Sequence, residues 1–579
     1  IISCNNFWEN LMTKFVLAFF TFIFFNIVSA DDLKNFNDRL PLPGVANKGL
    51  GKGDWPVFHG SYMGYSYSAL DAINTKNVDK MTPAWMHQPG KVTMGLQSTP
   101  IAVDGIIYYI ASFNVVFAID GHSGEQLWKY SHEFTELKKR KAQGGMDENS
   151  LLFAPYSRGL AVGDKNVFFG TIDGQAVALD RKTGKIVWNT KVLDSDTCNC
   201  LFNSPPVIAD DVIVYGPAGG ELFAKGGIYG ISAETGELLW EFETLRDHPD
   251  SWLSEHRDTG GGFPWMPGTF DPELNLIYYP IGNPAPDWDD GDDRPGDNLY
   301  TSSIVALNPQ NGELKWFHQQ VPHDVWDLDA SGEFLLVERD GKNLISNLNK
   351  NGYVYVYDRD KGKLNNIWQL SQTANWGKVD LKTGEITDRY FGVPGEERTI
   401  CPWIGGVRGW GVGSYNPKTK LWYTMAQDYC NIIEVVEGVE RIPGNLGWNA
   451  MVTAVVHEDN PPPRLVAVDP VSGQVAWQKD FDAPHFGAVL TTAGDLLFYG
   501  TSFGSVHALD VNDGTSLWSF NTGSGNRAGI ISYEAKGEQF ILFPTGCCGM
   551  VPGFFMPNID PRFATINEGA MIVSFKVPK

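Results

Sequence analysis

A single phrase recurs along this chain, and it constrains the fold more than any other feature. It consists of a small residue, an apolar residue and an Asp-like turn residue, then Gly, then Trp. It reads Ala118-Ile119-Asp120…Gly124…Trp128, Ala178-Leu179-Asp180…Gly184…Trp188, and Gly230-Ile231-Ser232…Gly236…Trp240. It returns as Ala306-Leu307-Asn308…Gly312…Trp316, Ala467-Val468-Asp469…Gly473…Trp477 and Ala508-Leu509-Asp510…Gly514…Trp518. In all six copies the Trp stands eight residues after the Asp-like position. Such a unit is a hairpin: a strand ends at the Asp, a Gly-containing turn reverses the chain, and the next strand carries the indole. An indole at a fixed place in each unit can dock against the neighbouring sheet. A weaker copy, Tyr357-Asp358-Arg359-Asp360-Lys361-Gly362, lacks the Trp at that spacing. Strand-rich repeats of this length predict an all-β, eight-bladed β-propeller with tryptophan-docking repeats. Residues 570–577 are expected to close the ring against strands near Pro83-Ala84-Trp85 or against the chain start.

The N-terminal region reads as a processing signal. Met12-Thr13-Lys14 precedes an apolar run over 15–28, and Val28-Ser29-Ala30 resembles a cleavage site. Residues 1–30 are therefore expected to comprise upstream residues and a cleaved signal peptide, with 31–579 as one propeller domain. The expected product is soluble, exported to the periplasm, and has no later membrane span. A formal charge of −23 argues against nucleic acid as a partner. Six cysteines follow the leader (Cys198, Cys200, Cys401, Cys430, Cys547 and Cys548), an even number that export favours pairing. No CxxCH motif for haem attachment is present. Residues 133–150 read as a charged helical loop and 287–297 as an acidic loop, neither with a catalytic role.

The segment Pro322-His323-Asp324-Val325-Trp326-Asp327-Leu328-Asp329 sets two acids two residues apart. On an extended strand Asp327 and Asp329 would face the same way. Two such carboxylates call for a shared proton or a hard cation between them.

With that segment, three others carry a resemblance: Gly219-Gly220-Glu221-Leu222, Pro280-Ile281-Gly282-Asn283-Pro284-Ala285-Pro286 and Arg294-Pro295-Gly296-Asp297-Asn298. Together with the docking phrases, the chain resembles the quinoprotein alcohol dehydrogenases that use pyrroloquinoline quinone (PQQ). The resemblance implies metal ligands at Glu221, Asn283, Asp327 and Asp329, with Asp327 also the catalytic base. Calcium-dependent relatives have a small residue where Asp329 stands and lanthanide-dependent ones an aspartate. The implied ion is thus a lanthanide of the La, Ce or Nd type, with Ca²⁺ as the alternative. Three carboxylates also suit a trivalent ion better than a divalent one. For PQQ, the resemblance implies Trp265 as a stacking floor and Arg158 at the quinone edge. Lys350 would reach the reactive carbonyls, with Gln97, Asn203, Ser204, Gly219, Gly220 and Glu221 completing the pocket.

The chain also departs from the family. The adjacent cysteines that usually precede the arginine are Leu152 and Phe153 here, and a frequent serine is Ala218. Another adjacent pair, Cys547 and Cys548, stands in a segment the family places near the pocket mouth. Either these two form a disulfide ring bordering the active site, or they are free or separately paired. Cys401 and Cys430 resemble a structural disulfide of relatives, and Cys198 and Cys200 are unassigned. The implied reaction oxidises a small primary alcohol to an aldehyde and passes electrons to a soluble cytochrome c. A homodimer is compatible with the resemblance. A calcium-dependent alcohol or polyol dehydrogenase is one alternative reading, and a non-enzymatic scaffold propeller is another.

Overall fold

The computed structural model describes residues 53–134, 155–245, 251–436, 438, 440–566 and 569–579. The leader, most of the charged loop at 133–150, and Leu152 and Phe153 lie outside the described residues. Among the described residues, seven four-stranded sheets and one five-stranded sheet follow one another along the chain. The first is built from Ile101–Val103, Ile106–Ala111, Val115–Asp120 and Gln126–Ser131, paired in that order. The last pairs Ile531–Ala535, Glu538–Thr545 and Met571–Lys576 with Thr82–His87, so that Thr82 lies opposite Lys576. An early and a late segment thus share one sheet, as expected, and the sheets close into a β-propeller. The wide gap between the Asp358 and Asp469 phrases is filled by two smaller sheets. One pairs Lys378–Val379 with Ile386–Thr387, and the other pairs Glu397–Ile400, Cys430–Val435 and Ala450–Val455.

The repeated phrase is the joint between blades. Trp128 Nε1 donates to Arg181 O at 3.0 Å, Trp188 to Ala233 O at 3.2 Å and Trp240 to Pro309 O at 2.9 Å. The relay continues from Trp316 to Arg359 O, Trp368 to Pro470 O and Trp477 to Val511 O, and closes through Trp518 to Met81 O and Trp85 to Gly121 O. Except at Met81, the acceptor is the residue just after the Asp-like position of the next phrase. Within each of the six full copies, the small residue is the cross-strand partner of the indole, as Ala118 is of Trp128 and Gly230 of Trp240. At Gly230 even a Cβ would strike the Trp240 ring.

The weaker copy is corrected by the structure. Its docking tryptophan is Trp368, two residues later than the spacing predicts. A shift of two keeps a side chain on the same face of a strand. Trp368 pairs with Val354, whereas Val356 takes Asn366 as its partner.

The phrase glycine has two tasks. Gly312 has φ 68°, and a Cβ there would lie 2.5 Å from Trp240 of the preceding blade. Gly341 shares the left-handed backbone (φ 71°) but would meet nothing within 4 Å. We therefore expect Gly312→Ala to destabilise the protein by about 1–3 kcal/mol more than Gly341→Ala, through overpacking against the indole. Urea denaturation of both variants checks this, and equal shifts in midpoint would remove the packing role assigned to the glycine.

Candidate active site

The predicted site residues stand in connections between strands, and each is held by a local device. Glu221 is presented by the short turn Gly220–Leu222, entered through Gly219 at φ 139°. Gly447 N donates to Glu221 O at 2.7 Å and Gly444 N to Leu222 O at 2.7 Å, which pins that turn from a distant loop. Lys350 lies in the turn between Lys342–Leu348 and Tyr353–Asp358, and its backbone N–H donates to Asp329 O at 3.0 Å.

Asp327 and Asp329 are not on a strand, contrary to the expectation from their alternation. Residues 327–329 form a loop, and Asp327 has φ 60°. The cause is Asp324, whose buried carboxylate accepts from Trp326 N (3.0 Å), Leu328 N (2.7 Å) and Ser302 Oγ (2.9 Å). A short acidic side chain that satisfies backbone N–H groups ahead of it competes with strand pairing. Buried Arg294 fixes the same loop, donating to Asp324 O (2.5 Å), Asn298 Oδ1 (2.9 Å) and Pro286 O (3.2 Å). This is the physical content of the 294–298 segment singled out in the sequence.

The two acids nevertheless converge. Lys350 Nζ lies 2.8 Å from Asp327 Oδ1 and also contacts Asp329 Oδ2. Asp329 Oδ1 accepts from Asn283 N at 2.7 Å and Trp265 Nε1 at 3.1 Å. Gly282 makes this approach possible, because a Cβ there would lie 2.6 Å from Asp329 Oδ1. Asn283 donates through Nδ2 to Asp287 Oδ1 (2.9 Å) and Pro284 O (3.0 Å). Its Oδ1 therefore turns toward Gly220, where a Cβ would sit 3.4 Å away.

Asp287, in the acidic loop at 287–297, is a fourth acid of the cluster. It is buried, lines the same cavity and is tied to Asn283. Burial holds the Asp287 carboxyl well above the usual range, and the charges of Glu221 and Asp329 add to this. Burial likewise raises Asp327, with Lys350 opposing and Asp329 and Asp287 reinforcing. Glu221 is raised chiefly by burial, then by Asp329. Burial works against charge on Lys350, but Asp327 and Asp329 outweigh it and keep the ammonium protonated. Among the described residues the acids are not drawn into a closed coordination shell; the Lys350 ammonium stands between two of them. One ammonium does not balance four acids. A multivalent, oxygen-seeking cation would, so the donor set fits such an ion.

A cavity joins this cluster to a cationic, aromatic end. Gln97, Arg158, Asn203, Gly219, Gly220, Glu221, Trp265, Asp327, Asp329 and Lys350 all line it. Asn283 and Ser204 stand directly behind, Asn283 bonded to Asp329 and Ser204 to the Trp265 carbonyl. Arg158 lies over the Trp265 ring at 4.8 Å and donates to Asn203 Oδ1 at 2.9 Å. A flat indole beside a guanidinium and amides fits a planar polycarboxylate. Trp410 and Arg527 also line the cavity and were not anticipated. Ala218, one of the departures, lines it too.

The cysteines pair as Cys198–Cys200, Cys401–Cys430 and Cys547–Cys548. The loop bearing the adjacent pair borders the cavity: a Cβ on Gly549 would lie 2.8 Å from Gln97 Nε2, and Leu96 N donates to Gly546 O at 3.0 Å.

Residues 55–374 match the PQQ family of glucose, ethanol and alcohol dehydrogenase propeller domains, and residues 412–542 match a family described as outer membrane protein assembly factor BamB. The chain is 34% identical to the quinoprotein alcohol dehydrogenase PedH of Pseudomonas putida, over 89% of this chain and 90% of that protein. It is 31% identical to a quinoprotein ethanol dehydrogenase of Pseudomonas aeruginosa, over 88% of each. Among solved structures, a europium-containing methanol dehydrogenase superposes with a TM-score of 0.82 at 25% identity, covering 91% of this chain and 98% of that one.

Proposed function

This chain belongs to the PQQ-dependent quinoprotein alcohol dehydrogenases, and we propose that it oxidises small primary alcohols to aldehydes with a trivalent lanthanide ion beside the quinone. The observation that carries this reading is the cluster of Glu221, Asp287, Asp327 and Asp329 around the single ammonium of Lys350. Acids that burial holds toward their neutral form ionise together only beside a strong positive charge, which a trivalent ion supplies better than a divalent one. The likeness to a europium-containing enzyme supports the same choice.

Glu221, Asn283, Asp327 and Asp329 would hold the ion, with Asp287 orienting the Asn283 amide. Trp265, fixed by Asp329 and Ser204, offers the stacking face, and Arg158, Asn203 and Gln97 the polar edge. When bound, the quinone supplies an electrophilic carbonyl that accepts hydride from the alcohol carbon, and the ion supplies Lewis-acid polarisation of that carbonyl. Asp327 takes the hydroxyl proton. Its Oδ1 is engaged by Lys350, and Oδ2 has no partner among the described residues, leaving that oxygen for the substrate. Trp410, Trp448 and Phe486 give the cavity an apolar wall that restricts water.

Electrons then pass to a soluble cytochrome c in the periplasm. The net charge of −23 supports attraction of a basic carrier. Among the described residues no helix is long and apolar enough to cross a membrane.

Reconstitution tests the reading. Apo-protein mixed with PQQ and La³⁺ is expected to reduce an artificial dye with ethanol or methanol as donor, and to do so faster than with PQQ and Ca²⁺. Activity restored only by Ca²⁺ would leave the family intact and remove the lanthanide.

A further inference from the structure

A charged group in the cavity has no task in the chemistry above. Arg527 stands between Ser516–Asn521 and Ile531–Ala535, is 4% exposed, and lines the cavity. Its guanidinium carbon lies 4.9 Å from the Trp410 ring centre and 5.1 Å from that of Phe486. Its Nε and Nη1 are buried and find no hydrogen-bond partner among the described residues. The charged groups that bear on it are Arg158 and the Tyr156 phenol, with no carboxylate among them. Arg158 packs on the same indole at 5.2 Å, and its Nε is equally unpartnered. Burial, and then the charge of Arg158, push the Arg527 guanidinium down to about 9.

Two buried guanidinium groups around one indole are unfavourable unless an anion joins them. The arrangement gives Arg527 little room to withdraw. A Cβ on Gly549 would lie 3.6 Å from Arg527 Nε and 2.8 Å from Gln97 Nε2, so the loop carrying the Cys547–Cys548 bridge backs both side chains. Position along the cavity identifies the anion. Arg158, which shares the Trp410 ring with Arg527, also lies 4.8 Å from the ring centre of Trp265, the stacking face. An anion that meets both guanidinium groups therefore belongs to a molecule lying against the Trp265 face.

We propose that Arg527, together with Arg158 on the same Trp410, binds a carboxylate of the quinone cofactor. The inference rests on the functional reading above. A planar guanidinium can take a carboxylate through two parallel N–H groups, which an ammonium cannot.

The experiment uses full-length apo-protein with La³⁺, titrated with PQQ and followed by quenching of tryptophan fluorescence, without turnover. Arg527→Gln is expected to weaken PQQ binding about 10–100-fold, the scale of losing a charge-assisted hydrogen bond, with Arg527→Lys in between. The difference should vanish with the PQQ trimethyl ester, which has no anionic carboxylate. Apo Arg527→Gln should melt no lower than wild type, because it removes an unpaired buried charge. Unchanged PQQ affinity in Arg527→Gln, or an equal loss for ester and acid, overturns the role of Arg527. So does unchanged PQQ affinity coupled to a selective loss of turnover on hydroxy acids, which would assign the carboxylate to the substrate. Wild-type protein that takes up no quinone overturns the functional reading along with it.

Discussion

Asp327→Asn is expected to lower kcat about 10²–10⁴-fold while the protein stays folded and takes up quinone. The size follows from removing a positioned proton acceptor. The amide keeps the shape of the carboxylate but is not a base at neutral pH. The loop should survive the change, because Asp324 and Arg294 hold it through bonds that do not involve Asp327. Lys350 also retains Asp329 as its partner. Single-turnover reduction of bound quinone by alcohol separates chemistry from reoxidation. Quinone reduction in Asp327→Asn at the wild-type rate would exclude Asp327 as the base.

The second large effect concerns the choice of ion. Asp329 carries three ties: its Oδ1 accepts from Asn283 N and Trp265 Nε1, and its Oδ2 meets Lys350. Asp329→Ala therefore removes a charge and also releases the Trp265 floor. Asp329→Asn is the sharper variant, because an amide oxygen can still accept those two bonds. Loss of one charge from a buried set should reduce La³⁺-supported activity about 10²-fold or more. Ca²⁺-supported activity should fall less, since a divalent ion needs fewer negative ligands. Parallel assays of reconstituted Asp329→Asn with each ion measure the ratio. Equal losses with both ions would mean that Asp329 supports Trp265 without selecting the metal.

The architecture was legible because its determinants are local. Docking requires a small residue beneath the indole, a left-handed turn glycine and a fixed offset, all within one hairpin. Trp368 escaped because a strand tolerates a shift of two residues without changing face. The site was legible where a motif brought its residues along, as with Glu221, Asn283, Asp327 and Asp329. Its backbone was misread because alternating acids resemble a strand, while Asp324 in fact folds them into a loop. Asp287 was hidden in a run of acids that reads as an acidic loop without a catalytic role. Its spacing of four from Asn283 was the one signal that could have drawn it out. Arg527 had no signal at all. Only the closing of the ring brings it beside Arg158 and Trp410.

The most direct measurement is elemental analysis of the purified, active enzyme, taken with the absorption spectrum of its quinone. Cells should be offered both calcium and lanthanum during production. One lanthanide ion and one PQQ per chain are expected. Active protein that carries PQQ and calcium, with lanthanum absent though available, would contradict the lanthanide reading.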